Sequence, residues 1–205
     1  MLIIKSKYKI AKRLGAGIFD QTQTQKFSLS EARSKGNKQR GGRRGGSDYG
    51  RQLLEKQRVR FTYGLSEKQF SSYAEKATHA ALPSAALHKL LEMRVDNAIY
   101  RAGLASTRRA ARQAVSHGHI VINGRRITSP SYALRVGDSI SIREGSRPSP
   151  LFASLSEKAP DERRALPRWL DVNFDLLTAK VTGEPTYSSA EVGLDYAVVF
   201  EFYSR

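Results

Sequence analysis

The sequence contains no cysteine. Disulfides and thiolate metal sites are therefore excluded, and a reducing compartment is permitted. Histidine is scarce, with only His79, His88, His117 and His119. His117 and His119 are close in sequence, but two imidazoles without thiolate or carboxylate partners do not make a zinc site. A proton shuttle needs a partner group in a cleft, and no neighbouring residue suggests one, so phosphate contact or local packing is expected of them. Neither Gly-x-Ser-x-Gly nor a Gly-rich phosphate loop ending in Lys-Ser/Thr occurs. Gly15-Ala16-Gly17 is too short for a dinucleotide fingerprint. No uncharged apolar run reaches the about 18 residues that a bilayer span needs. Met1 to Phe19 lacks the apolar core of a secretory signal, although a cleaved organellar transit peptide would share its basic, acid-free composition. The reading is no catalytic residue, no metal, no cofactor and no membrane.

Acid is also scarce where base is abundant. Residues 1–64 hold 16 Lys/Arg against 4 Asp/Glu, and residues 93–145 hold 9 against 3. Residues 146–205 reverse the balance, with 7 against 9. The net charge of +16 is thus polarised along the chain. A mixed solvated surface does not require that, whereas a polyanion partner explains it through release of condensed counterions. Nucleic acid is the partner expected.

Residues 1–46 read as a basic, partly irregular arm. Lys5, Lys7, Lys9, Lys12 and Arg13 lead into a Gln/Thr run and then Gly41-Gly42-Arg43-Arg44-Gly45-Gly46. Such a stretch buries too little apolar area to order itself, so it reads either as a linker or as an arm that orders on phosphates. Residues 47–102 read as helices. Ser47 or Asp48 caps the first, which carries Arg51, Lys56, Arg58 and Arg60 beside Leu53, Leu54 and Phe61. Ser66 and Gln69 fit a capping box. Phe70, Tyr73, Ala74 and Ala77 follow as one apolar stripe, then Leu87, Leu90 and Leu91, then Val95, Ala98, Ile99 and Ala102, closed by Gly103.

The sharpest local signal lies in residues 104–143. Ser106 or Thr107 caps a helix ending near His117-Gly118. Arg108, Arg109 and Arg112 cluster on one side, and Ala111, Ala114 and Val115 on the other, where small side chains allow close approach to a sheet. His119 to Ile122 leads to Asn123-Gly124, a hairpin signal because both turn residues need positive φ. Arg125, Arg126 and Ile127 follow. Helix and hairpin tip together form one basic ledge. Asp96, beside Arg94 and not far from Arg101, reads as an ion-pair residue rather than a catalytic acid. Residues 146–183 look looser, anchored by Trp169 and Leu170. The end, Ala197 to Tyr203, is a dense β-prone apolar run expected to be packed.

Several blocks resemble bacterial-type small-subunit ribosomal protein four, the family that names the S-four RNA-binding domain. One block is Ser47-Asp48-Tyr49-Gly50 with Leu54-Glu55-Lys56-Gln57-Arg58-Val59-Arg60. Another runs from Leu90-Leu91-Glu92-Met93-Arg94-Val95-Asp96-Asn97 through Thr107-Arg108, Ala111-Arg112-Gln113, Val115-Ser116-His117-Gly118-His119 and Val121-Ile122-Asn123-Gly124 to Gly137-Asp138. Trp169-Leu170 and Phe202-Tyr203-Ser204-Arg205 complete the match, with Lys7-Tyr8-Lys9 and Arg13-Leu14-Gly15 near the start. The resemblance implies an α+β chain. Its helical domain, residues 47–92 completed by 196–205, accepts an inserted α/β domain at 93–195 with a small antiparallel sheet. The RNA-binding module is at about 93–145.

The resemblance further implies a structural, cytoplasmic ribosomal protein and primary binder of small-subunit rRNA. It would fold a helix junction of the 5′ domain, nucleate assembly, lie beside small-subunit protein five and help line the channel by which mRNA enters. Arg43 and Arg44 become candidates for mRNA contact. Many relatives bind zinc through four cysteines in the arm, and this chain has none. The RNA-binding candidates are the cations of the arm and first helix already named, with Tyr49, then Arg94, Arg101, Thr107, Arg108, Arg109, Arg112, Gln113, His117, His119, Asn123, Arg125 and Arg126. The expected mechanism is a bivalent clamp on phosphates, steeply weakened by salt. Two alternatives share the small domain. An RNA-modifying enzyme would follow it with a large catalytic domain, and an RNA chaperone would be shorter than this chain.

Overall fold

Local caps and turns set where most elements begin in the computed structural model, which describes residues 4, 6–19, 22–38, 47–157 and 165–204. Along the chain run α1 (Lys7–Leu14), α2 (Gln25–Lys38), α3 (Asp48–Thr62), α4 (Glu67–Thr78), α5 (Pro83–Glu92), α6 (Val95–Arg101), α7 (Arg108–Ser116), β1 (Ile120–Ile122), β2 (Arg125–Ile127), β3 (Ser139–Ile142), α8 (Pro150–Glu157), β4 (Leu170–Asn173), β5 (Thr178–Val181), α9 (Ser189–Val192) and α10 (Tyr196–Tyr203). The class is α+β. Two compact units result, one from residues 1–84 with 188–205 and one from residues 85–187. No described helix is long and apolar enough to cross a membrane.

The first unit is helical. The Ser47 hydroxyl accepts from the Gly50 N–H at 3.1 Å and starts α3. Ser66 and Gln69 close a reciprocal capping box on α4. Phe70, Ala74 and Ala77 of the expected stripe are buried. The chain end corrects its β-prone appearance, because it is helix α10 packed against α3. Asp195 caps that helix by accepting from the N–H groups of Ala197 and Val198. Tyr196 and Val199 are buried, and the Tyr196 and Tyr63 hydroxyls share a hydrogen bond of 3.1 Å. Burial of such side chains is worth roughly 1.5–3 kcal/mol each and outweighs strand propensity. Within the arm, the described residues hold α1 and α2, and Ala11, Ile18 and Phe27 are buried. Contacts of α1 with α3 and of Phe19 with Phe61 supply burial that its composition does not advertise.

The second unit is built on a five-stranded antiparallel sheet of order β2-β1-β3-β5-β4. Register places Ile120 opposite Ile142 and Ile122 opposite Ile140. These side chains share one core with Ile99, Leu104, Ala111 and Val115 from the helices. Asn123 and Gly124 both have positive φ, 49° and 78°, as the two-residue turn between β1 and β2 requires. The Asn123 amide braces this tip, donating to Asp138 at 2.8 Å and accepting from the Ser139 N–H at 2.9 Å. The segment expected to be loose contains α8 and a second hairpin, β4–β5. Asn173 nucleates that hairpin, since its side-chain oxygen accepts from the N–H groups of Asp175 and Leu176. Trp169 and Leu170 are buried in the core, as expected.

Candidate nucleic-acid interface

The Thr107 hydroxyl accepts from the Ala110 N–H at 3.0 Å and starts α7, so its side chain is spent on a cap. Ala111, Ala114 and Val115 are buried. The main partner of this helix is α6 rather than the sheet. That packing places Arg108 and Arg112 over the junction of α5 and α6, where two acids and an amide lie.

Asp96 is the first of those acids. Its Oδ1 accepts from Arg94 Nε at 3.0 Å, and its Oδ2 accepts from Arg94 Nη2 and Arg112 Nε, each at 2.8 Å. The Arg94 and Asp96 side chains are only 4% and 3% exposed, and that of Arg112 only 15%. Glu92 is the second. It accepts two hydrogen bonds from Arg101, at 2.8 and 2.9 Å, and one from Asn97 Nδ2 at 2.7 Å. Asn97 Oδ1 in turn accepts from Arg108 Nε at 2.8 Å, and the Arg108 guanidinium lies 4.3 Å from the Tyr100 ring centre. Four of the seven candidate arginines in this module are thus engaged by the protein's own side chains. Asp96 pairs with Arg94 and Arg112, while Arg101 goes to Glu92.

Burial alone would raise the Glu92 pKa. The Arg101 hydrogen bonds and the charges of Arg101, Arg108 and His88 reverse that and lower it to about 2. A folded pKa below the unfolded value of 4.5 stabilises the fold above that value. The stability is lost as pH falls through the folded pKa. Urea unfolding of the wild type should therefore lose about 3 kcal/mol between about pH 5 and about pH 2 from this carboxylate. Glu92→Gln should flatten that part of the profile, and an unchanged profile would show that Glu92 is not the titrating group.

What remains exposed forms a ledge. Arg109, Gln113 and Ser116 follow i, i+4, i+7 along α7, and exposed His117 stands at its end. Arg125 and Arg126 are exposed on β2. Arg126 also ties the hairpin to the helix. Its Nε donates to the Gly118 carbonyl and its Nη2 to the His117 carbonyl, both at 3.1 Å. These are carbonyls that the end of α7 leaves open, and a cation is favoured there. Gly118 has φ of 73°, and a Cβ at this position would collide with the Arg126 guanidinium. His119 is half-buried, with Nδ1 2.9 Å from Ser146 Oγ.

On the helical unit, Lys9, Lys12 and Arg13 are exposed at i, i+3, i+4 along α1, with Lys7 half-buried. Tyr49 is exposed, its ring centre 5.6 Å from that of Phe202. Arg51 is exposed, 4.0 Å from Glu201, and Arg58 is half-exposed, 3.6 Å from Glu55. Lys56 and Arg60 are different. Lys56 is buried, 2.7 Å from Glu67 and 4.2 Å from the Phe202 ring centre. Arg60 pairs with the other Glu67 oxygen at 3.6 Å. Burial opposes ionisation of Glu67, but Lys56, Tyr203 and Arg60 together lower its pKa. Lys5, Arg43 and Arg44 lie outside the described residues.

A family model for the S4 domain matches residues 93–140, which hold α6, α7 and the first hairpin. A second, for the ribosomal protein S4/S9 N-terminal domain, matches residues 3–93. The chain is 43% identical over 201 residues to the small ribosomal subunit protein uS4 of Roseiflexus sp. (strain RS-1), covering 96% of each chain. It is 39% identical over 201 residues to the uS4 protein of Borrelia turicatae, covering 98% of this chain and 96% of that one. Taken with the fold and the basic ledge, these matches place the chain in the uS4 family of small-subunit ribosomal proteins.

Proposed function

We propose that the chain is a non-catalytic, primary binder of small-subunit rRNA, working in the cytoplasmic ribosome. The observation that carries this is the sorting of its cations. Arg94, Arg101, Arg108 and Arg112 are held by Glu92, Asp96 and Asn97. Arg109, Gln113, His117, Arg125 and Arg126 are presented on rigid elements. A binder of A-form RNA needs this arrangement, because base edges lie in a deep groove and recognition falls on phosphates and shape. The inner arginines set the shape and the outer ones make the contacts. On the helical unit, Lys9, Lys12, Arg13, Tyr49, Arg51 and Arg58 offer a second contact surface. The resemblance adds the finer reading. This chain folds a junction in the rRNA 5′ domain early in assembly, next to small-subunit protein five, near the channel by which mRNA enters.

Filter binding to protein-free small-subunit rRNA, followed by sedimentation of the chain in cell lysate, tests this. The expected outcome is specific binding to naked rRNA and sedimentation with small subunits and their precursors. Binding that requires other ribosomal proteins would remove the primary role. A chain that stays at the top of the gradient would remove the ribosomal one.

A further inference from the structure

Four ionisable groups converge where α7 passes into the sheet. His117 ends the helix, His119 precedes β1, Arg126 lies on β2 and Arg143 follows β3. The two imidazole ring centres are 6.0 Å apart. Arg126 is fixed by the carbonyls of His117 and Gly118, and its remaining N–H groups have no partner among the described residues. The Arg143 N–H donates to the His119 carbonyl at 2.8 Å, which pins the root of its exposed side chain beside the ring. Ser146 and the Phe152 ring complete the surroundings of His119. No carboxylate pairs with any of the four among the described residues. The contrast with the Glu92 and Asp96 hubs is direct, since there every arginine has an acid or an amide.

We infer that His117, His119, Arg126 and Arg143 form a seat for one RNA phosphodiester, whose occupancy is coupled to protonation of His119. The inference rests on the RNA-binding reading above. Partial burial, and then the charges of His117, Arg143 and Arg126, hold the His119 pKa below its ordinary value of 6.5 in the free protein. A phosphate at the seat cancels that repulsion, because an opposite charge favours the imidazolium. The complex therefore takes up a proton. Affinity is highest below the free pKa and falls as pH rises through the window up to the bound one. Each unit of difference is worth about tenfold in affinity.

The test is filter binding of the full chain to a labelled small-subunit rRNA transcript, at constant salt, from about pH 5.5 to about pH 8, where RNA phosphates do not titrate. Wild-type affinity should fall about tenfold across that range. H117Q/H119Q should bind with no pH dependence, at the strength the wild type shows at the alkaline end. H119Q alone should already remove the dependence, whereas H117Q changes only an exposed side chain and should leave a fall with pH in place. R143Q should weaken binding several-fold at every pH. A flat wild-type profile, or an unaltered slope in H117Q/H119Q, overturns the seat while leaving RNA binding intact. No binding at any pH overturns the RNA reading itself, and the seat with it.

Discussion

Asp96→Ala should destabilise the sheet-containing unit by about 3–5 kcal/mol. The substitution removes the carboxylate that Arg94 and Arg112 share in a site almost closed to water. Arg94 cannot turn outward cheaply, because its backbone forms the start of α6 and its side chain is 4% exposed. Asp96→Asn keeps the shape and an acceptor, so its cost should be smaller. Chemical denaturation of the three proteins measures the difference. Equal stabilities would mean that the pair is incidental, and that α6 and α7 are held by apolar packing alone.

Arg109→Gln with Arg125→Gln should leave the fold intact, since both side chains are exposed on regular elements. RNA affinity should nevertheless drop by about 10- to 100-fold, the scale of two lost solvent-exposed contacts at about 0.7–1.4 kcal/mol each. Asp175→Asn with Glu191→Gln removes two exposed acids from the second half of the chain and should change affinity less than about twofold. Comparable losses from both pairs would show that binding follows net charge and not the ledge. Arg108 and Arg112 are poor choices for this experiment. They are tied to Asn97 and Asp96, so removing them confuses binding with folding.

The basic ledge is legible in the sequence because its signals are local. Asn123-Gly124 announces its hairpin through the backbone geometry only such residues adopt readily, and Ser66, Thr107 and Ser47 announce helix starts through short side chains. The division of arginines into engaged and presented is not legible. Glu92 meets Arg101 nine positions later and Asp96 meets Arg112 sixteen later, across a helix-to-helix contact with no sequence period. The helix α10 is hidden for a similar reason. Its β-branched and aromatic residues favour a strand locally, and the Asp195 cap with the surfaces of α3 and α4 decides otherwise. The β4–β5 turn depends on Asn173 and on Leu177 at φ of 51°, a conformation no leucine advertises. In the arm, Phe27 is buried and its ring centre lies 6.1 Å from that of Tyr8, a pairing the polar surroundings conceal.

The central claim is that cations held in a fixed pattern grip RNA through its phosphates. The most direct measurement is the slope of log affinity against log salt concentration for the full chain on small-subunit rRNA. Each phosphate contact contributes about −0.7 to −0.9 to that slope. The wild type should show a steep slope, and Arg109→Gln with Arg125→Gln should reduce it by about two contacts' worth. A slope near zero, or one that the double substitution leaves unchanged, would contradict the account.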